Sequence, residues 1–361
     1  MKHQKTQNLT LTILMMIVLV FVFTACTSQT IDNIEQLEEH LELNFIAKAI
    51  EALYHTIGNY GWTMVLITVI LKIAMLPLDI WQRITTRKNT LQMQQMAPMI
   101  EAIDRKYANN PQKANEEKQK LYKKQGYSVA SSCLPMIVTM TVFIVVFSGV
   151  NSYARHRNYY DYVQLSDYYK QVYSQTQSVE QAQQLTYQHY EQNVKESWLW
   201  IQNVQRPDTW EKPMADFSSF ASSIGLNPNS ANLGNFRDEY EQIRVAVVDN
   251  GYNGWNGWLI LPLCCVGLSF LSIWLPQKLD KKRNGVVSAE QQQTNKTMMF
   301  MMPLMMAWFG FVYTGAFAIY ITCNYALTLI STLAFRSFIE KRAQASAEKD
   351  QPKETYSYKR K

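Results

Sequence analysis

Five apolar runs constrain what this chain can become. They lie near Leu9–Ala25, Tyr60–Ile80, Cys133–Val150, Trp258–Leu275 and Met298–Phe335. A helix needs about 20 apolar residues to cross a bilayer. The last run holds 38 residues, too many for one span and enough for two. Strongly polar segments separate the runs. The expected fold is an all-α polytopic membrane protein with sizeable parts outside the bilayer.

The first run reads as a processing segment. Met1–Lys5 is short and basic, Leu9–Phe23 is apolar, and Thr24-Ala25-Cys26 places small residues before a cysteine. That is a secretory signal ending in a lipobox-like site, with Phe23 where leucine is usual. The expectation is a signal peptide over 1–25 and fatty-acid (palmitate) lipidation of Cys26. The alternative is an uncleaved signal anchor. Cys133, Cys264, Cys265 and Cys323 lie in or at the ends of apolar runs and read as small buried hydrophobes. No histidine stands near them at ligand spacing, so neither a metal nor another cofactor is expected.

Charge sets the orientation. The segment Trp81–Ser128 carries ten Lys/Arg, Gln277–Lys296 five, and Arg336–Lys361 eight against four acids. Ser28–Trp62 has six acids and one lysine, and Asn151–Asn256 has eight basic and twelve acidic residues. Basic loops stay on the cytoplasmic side. The predicted order is then an extracytoplasmic N-terminus with an interfacial helix (26–58), a first span (59–80) and a cytoplasmic helical hairpin (81–128). A second span (133–150) leads to an enlarged extracytoplasmic region (151–256). A third span (257–276), a cytoplasmic loop (277–296), two spans (297–312 and 315–335) and a basic cytoplasmic tail (336–361) complete it. The expected location is a bacterial cell membrane.

Local patterns refine this. Phe45, Ile46, Ile50, Leu53 and Ile57 recur at helical spacing. They suit a helix lying in the outer interface or one packed on the outer domain. Met93, Met96, Ile100, Ile103 and Tyr107 form the stripe of a first hairpin arm, Asn109-Asn110-Pro111 the turn, and the second arm runs to Lys124. Ser178–Val194 is expected to be helical, Trp198-Leu199-Trp200-Ile201 interfacial, and Ser218–Gly234 a loop. Pro77 is expected to mark the end of the first span.

No phosphate-binding glycine loop, G-x-S-x-G or H-E-x-x-H occurs, so no enzyme activity is expected. The chemistry-bearing residues are polar ones inside apolar runs. Lys72 interrupts MVLITVILKIAMLPL with no acid close enough to cancel it. At mid-depth such a charge costs roughly 2.5–3.5 kcal/mol on insertion scales. It calls for a wet cavity open to the cytoplasm, or for snorkelling toward the interface. Thr68 and Asp79 share its stripe. Thr139 in the second span and Thr322, Asn324 and Thr328 in the last are further polar positions, although a threonine can also bond its own helix. The Met298–Met302 stretch suits adaptable contact with varied partners or ordinary packing.

These residues carry a resemblance. Gly58-Asn59-Tyr60-Gly61, an apolar span with one basic residue, and Leu76-Pro77-Leu78 resemble the YidC-type membrane protein insertases. So do Met96-Ala97-Pro98-Met99-Ile100, Lys106-Tyr107, Asn110-Pro111-Gln112-Lys113 and Leu121-Tyr122-Lys123-Lys124 in the hairpin. Cys133-Leu134-Pro135-Met136, Trp198–Val204 with Pro207-Asp208, Leu261-Pro262-Leu263, Met302-Pro303-Leu304-Met305 and Gly315–Asn324 continue the match in order. The resemblance implies insertion and chaperoning of nascent membrane proteins through a hydrophilic, positively charged groove open to cytoplasm and lipid. Lys72 fills the position of the groove's basic residue, where many members carry arginine. Thr68, Thr139, Thr322 and Asn324 are the other expected groove residues. Expected partners are nascent membrane proteins, the lipid bilayer, the general secretion channel and, through the basic tail, the ribosome; DNA is not among them. The tail charge also suits a plain positive-inside anchor. Ser128–Ser132 and Thr139-Met140-Thr141 depart from the family's usual turn and proline, which suggests a divergent paralogue. A small-anion transporter and a lipoprotein scaffold with a binding outer domain are the rival classes.

Overall fold

A computed structural model describes residues 31–37, 41–127, 129–249, 254–284, 300, 303–304 and 308–349. The signal segment, Cys26, most of the 277–296 loop, half of the 297–312 span and the end of the tail lie outside the described residues. The described part is helical, with two isolated β-bridges and no strand. We label its helices α1 (Phe45–Ile57), α2 (Tyr60–Lys106), α3 (Pro111–Lys124), α4 (Val129–Thr176), α5 (Val179–His189), α6 (Phe217–Ile224), α7 (Gly234–Val248), α8 (Ile260–Asn284), α9 (Gly315–Ala334) and α10 (Arg336–Lys349).

Among the described residues, four helical segments are long and apolar enough to cross a membrane: Tyr60–Lys106, Ile137–Thr176, Ile260–Leu279 and Gly315–Ala334. Of the expected fourth span, residues 300, 303–304 and 308–312 are described, and they are helical. The chain is an all-α polytopic membrane protein.

The Gly58-Asn59-Tyr60-Gly61 motif has a local physical reading. Asn44 caps α1 by accepting the Ala47 amide at 3.0 Å. Gly58 ends it at φ 70°, the left-handed conformation that glycine adopts without strain. Asn59 then caps α2 by accepting the Trp62 amide at 3.1 Å. Tyr60 is fully buried, and Gly61 lies so close to Trp198 that a Cβ would fall 2.3 Å from that side chain.

The helix of the first span does not stop at Pro77. α2 runs through Pro77 and Pro98 to Lys106, so span and first hairpin arm are one helix. Each proline removes one i→i−4 bond but leaves the helix in register. The turn follows the expected chemistry: Asn110 accepts the Lys113 amide at 3.1 Å, and Pro111 opens α3. Lys118 of α3 pairs with Asp104 of α2 at 2.8 Å. Likewise α4 carries the second span into the region beyond it without a break.

That region is a small helical domain formed by the far half of α4 with α5, α6 and α7. Its core joins Leu165, Ala182, Phe220, Ala221, Ile224, Leu233, Tyr240 and Ile243. The N-terminal segment enters it through Leu37, while Ile31 bridges to Leu226 in parallel. The expected loop at Ser218–Gly234 is corrected: Phe217, Phe220, Ala221 and Ile224 lie on one face of α6, and Gly225 closes it at φ 94°. The serines masked that i, i+3, i+4, i+7 pattern. Ser178–Val194 is helical as expected, its last turn being a π-helix at Tyr190–Val194.

Candidate functional site

Burial along the spanning helices is uneven, and this positions the site. On α2, Tyr60, Met64, Ile67 and Thr68 are buried, and then no residue is until Arg87. On α4, residues 137–145 include none buried, whereas Val146, Val150 and Tyr153 are. On α8 the buried positions stop at Ser269, and on α9 they stop at Ile321. The helices pack tightly toward the helical domain and loosely toward the hairpin.

The tight half is held in two layers. The outer layer is a polar knot beyond the apolar stretch of α4. Glu196 accepts from the Tyr54 hydroxyl, from the Tyr60 amide at 3.2 Å and from Arg157 at 3.2 Å. Arg157 also pairs with Asp161 at 2.9 Å and lies over the Tyr54 ring. The Gln205 amide donates to Asp161. Burial pushes the Asp161 carboxyl up to about 7, although Arg157 and Gln205 both favour its charged form. Two carboxylates thus share one guanidinium. The inner layer is aromatic: Phe143 and Phe147 of α4 meet Phe317 of α9 and Phe309, and Tyr60 meets Tyr153 edge-on.

A loop ties the span ends together. Buried Asp208 accepts the amides of Trp258, Leu259 and Leu261 and the Trp200 indole N–H, capping α8. The Arg206 and Val204 carbonyls accept the Gly315 and Ala316 amides at the start of α9, at 2.8 and 2.7 Å. Asn256 fills the centre, donating to the Pro207 carbonyl at 2.7 Å and accepting from the Asn203 amide at 2.8 Å.

Lys72 begins the loose half. Its ammonium meets the Asp79 carboxylate at 2.5 Å, with the two side chains 14% and 21% exposed. The expectation of a lysine that no acid cancels is corrected. The residues are two turns apart, but Asp79 leans toward the helix N-terminus, as helical Cβ atoms do, and the long lysine reaches the other way. Asp79 lies within electrostatic reach of Arg83 and of Tyr320 on α9. Arg83 is committed to α9: it donates to the Thr332 hydroxyl, to Ser331 Oγ at 3.2 Å and to the Thr328 carbonyl at 3.4 Å. One turn further, Arg87 grips Glu340 of α10 with two bonds, at 2.8 and 3.1 Å.

The other expected groove residues are placed as follows. Thr139 is exposed on α4 and donates to Gln82 Oε1 of α2 at 2.9 Å, on the hairpin side of Lys72. Thr68 is buried and donates to the Met64 carbonyl of its own helix at 2.5 Å. Thr322 faces α8, where its hydroxyl lies 2.9 Å from Cys265 Sγ. Asn324 is half-buried on α9. Lys72, Asp79, Gln82 and Thr139 therefore make a polar strip along α2 and α4, while Thr68 and Thr322 serve helix contacts. Sequence reasoning did not single out Gln82, Arg83 and Arg87. Their spacing from Asp79 along one helix was the available signal. In the knot, Arg157 and Asp161 stand four residues apart on α4 and were its local signal, whereas Tyr54, Glu196 and Gln205 lie far from them in the chain.

Comparison with known proteins agrees with this architecture. The sequence pattern of the 60Kd inner membrane protein family matches residues 52–342. Proteins named "Membrane protein insertase YidC" are similar to parts of the chain. That of Treponema denticola is 36% identical over 110 residues, 30% of this chain and 18% of the relative. That of Caldanaerobacter subterraneus is 30% identical over 109 residues, 30% of this chain and 51% of the relative. The Helicobacter pylori protein is 31% identical over 109 residues, 29% of this chain and 19% of the relative. The matched segment thus covers at most about half the length of these relatives. A family match that runs from α1 through α10 is carried by the whole helical framework, and the chain belongs to the 60Kd inner membrane protein family, that of the YidC-type insertases.

Proposed function

We propose that this protein inserts and helps fold integral membrane proteins, using a hydrophilic groove on the hairpin side of its spanning helices. The carrying observation is the burial gradient: tight packing ends at Thr68 on α2 and Ile321 on α9, and the first polar side chains beyond it are Lys72 and Asp79 on α2 and Thr322 and Asn324 on α9. The basic hairpin and tail put this loose half on the cytoplasmic side. The acidic helical domain and the N-terminus, lipid-anchored at Cys26, lie outside. The Glu196 knot and the aromatic layer close that outer end.

The physical task is to move a polar flank across about 30 Å of hydrocarbon. Each charge carried to mid-depth costs roughly 2.5–3.5 kcal/mol. A wet recess reaching partway shortens the dry path. Lys72 draws in acidic residues of the client, while Thr139, Gln82 and Asn324 offer exchangeable hydrogen bonds. The client's apolar span then moves into lipid, driven by removal of its surface from water. No covalent bond changes, so the protein is not an enzyme on this reading. The basic hairpin and tail offer charge for a ribosome.

Photocrosslinking from Thr139 during synthesis of a client tests this. The expected result is capture of the nascent chain, lost in Lys72→Glu. Labelling of lipid alone would contradict the groove.

A further inference from the structure

The Lys72 charge is not free to meet a client. Among the described residues Asp79 is its one partner, at 2.5 Å on the same helix. We infer that Asp79 is an internal competitor for the Lys72 ammonium, so that the groove holds flanks bearing two or more clustered carboxylates in preference to flanks bearing one. This deepens the proposed insertase reading and rests on it.

Asp79 is tethered two turns from Lys72, so its effective concentration there is in the millimolar range or above. One carboxylate already neutralises an ammonium, which is a compact point charge, whereas a guanidinium fork of five donors could keep a second acceptor. A client carboxylate therefore gains only the difference between itself and Asp79. A flank with several carboxylates wins by number. Arg83 cannot take up the displaced Asp79 freely, because Thr328, Ser331 and Thr332 of α9 hold it. Displacement is then reversible, and Asp79 can expel the client again.

The test uses the full-length protein in proteoliposomes, with a photoreactive residue at exposed Met140. Three clients differ only in having two, one or no flank carboxylates. Wild type should crosslink the two-carboxylate client about 1.5- to fivefold more than the one-carboxylate client, the scale of one solvent-accessible ion pair. Asp79→Asn should raise the one-carboxylate yield by a similar factor and leave the carboxylate-free client unchanged. Adding Lys72→Gln should erase that gain, and Asp79→Glu should keep the wild-type ratio. If Asp79→Asn does not accumulate, Asp79→Ser takes its place. Suppose Lys72→Gln lowers the two-carboxylate yield but Asp79→Asn leaves the one-carboxylate yield flat or lower. Then the groove reading stands and the competitor inference falls. A fall that Lys72→Arg rescues would likewise overturn it, since Asp79 would be supporting the charge. If Lys72→Gln changes no yield, the groove reading fails and takes this inference with it.

Discussion

Asp208 accepts the Leu261 amide of α8 at 2.7 Å across 53 residues of chain, and with it the amides of Trp258 and Leu259 just ahead of that helix. A buried carboxylate at a helix N-terminus meets both the orphan donors and the positive end of the dipole. Asp208→Ala removes four acceptor contacts at once. It should destabilise the protein by about 2–4 kcal/mol, read as a lower unfolding temperature in detergent. Amide exchange should quicken first at Trp258–Leu261. An unchanged exchange rate there would show that the cap is not needed.

Gly61 is set by the close approach of Trp198. An added Cβ would lie 2.3–2.6 Å from three atoms of that side chain. Gly61→Ala should cost about 1–3 kcal/mol through overpacking, and indole fluorescence should report a displaced Trp198. Gly234, with open space around it, is the control: Gly234→Ala should leave fluorescence and stability nearly unchanged.

The outer knot predicts a pH response. Asp161 titrates near 7 because burial disfavours its charge. Its folded value lies above the ordinary carboxylate value of about 3.9. Its favourable contribution is therefore full below about pH 4 and is lost as pH rises through 7. Arg157, Glu196, Tyr54 and Gln205 surround it from α4, the loop and α1. The protein should lose thermal stability between about pH 4 and pH 7, and Asp161→Asn should flatten that slope. An equal slope in the variant would assign the effect to other groups.

Arg87 and Glu340 tie α10 to α2, and Arg83 ties α9 to the same face. Both Arg87 and Glu340 are mostly buried, at 9% and 13% exposure. Removing one partner strands the other charge, at about 3–5 kcal/mol when burial is complete. Glu340→Ala should expose α10 to protease, and Arg87→Met with Glu340→Met should restore much of the protection. Equal cleavage in wild type and Glu340→Ala would contradict the tie.

What was legible in the sequence follows from the range of the interactions. Spans, caps and the hairpin turn depend on neighbours within a few residues, so Gly58, Asn59, Asn110 and Pro111 could be read directly. The fused helices could not, because a proline ends most helices, whereas α2 runs on through Pro77. The α6 helix was hidden by its serines. At the site, Lys72 stood out by cost alone, whereas its pairing with Asp79 needed the direction of both side chains. The roles of Thr68 and Thr322 depended on which way each hydroxyl turns, which spacing does not specify.

The central claim is that Lys72 engages client flanks in a groove. The most direct measurement is complementation of an insertase-depleted strain, scored by insertion of a client with an acidic flank. Wild type and Lys72→Arg should restore insertion, while Lys72→Glu should reduce it about tenfold or more, and a client with a neutralised flank should lose this sensitivity. Full insertion of the acidic-flank client by Lys72→Ala and Lys72→Glu alike would contradict the account.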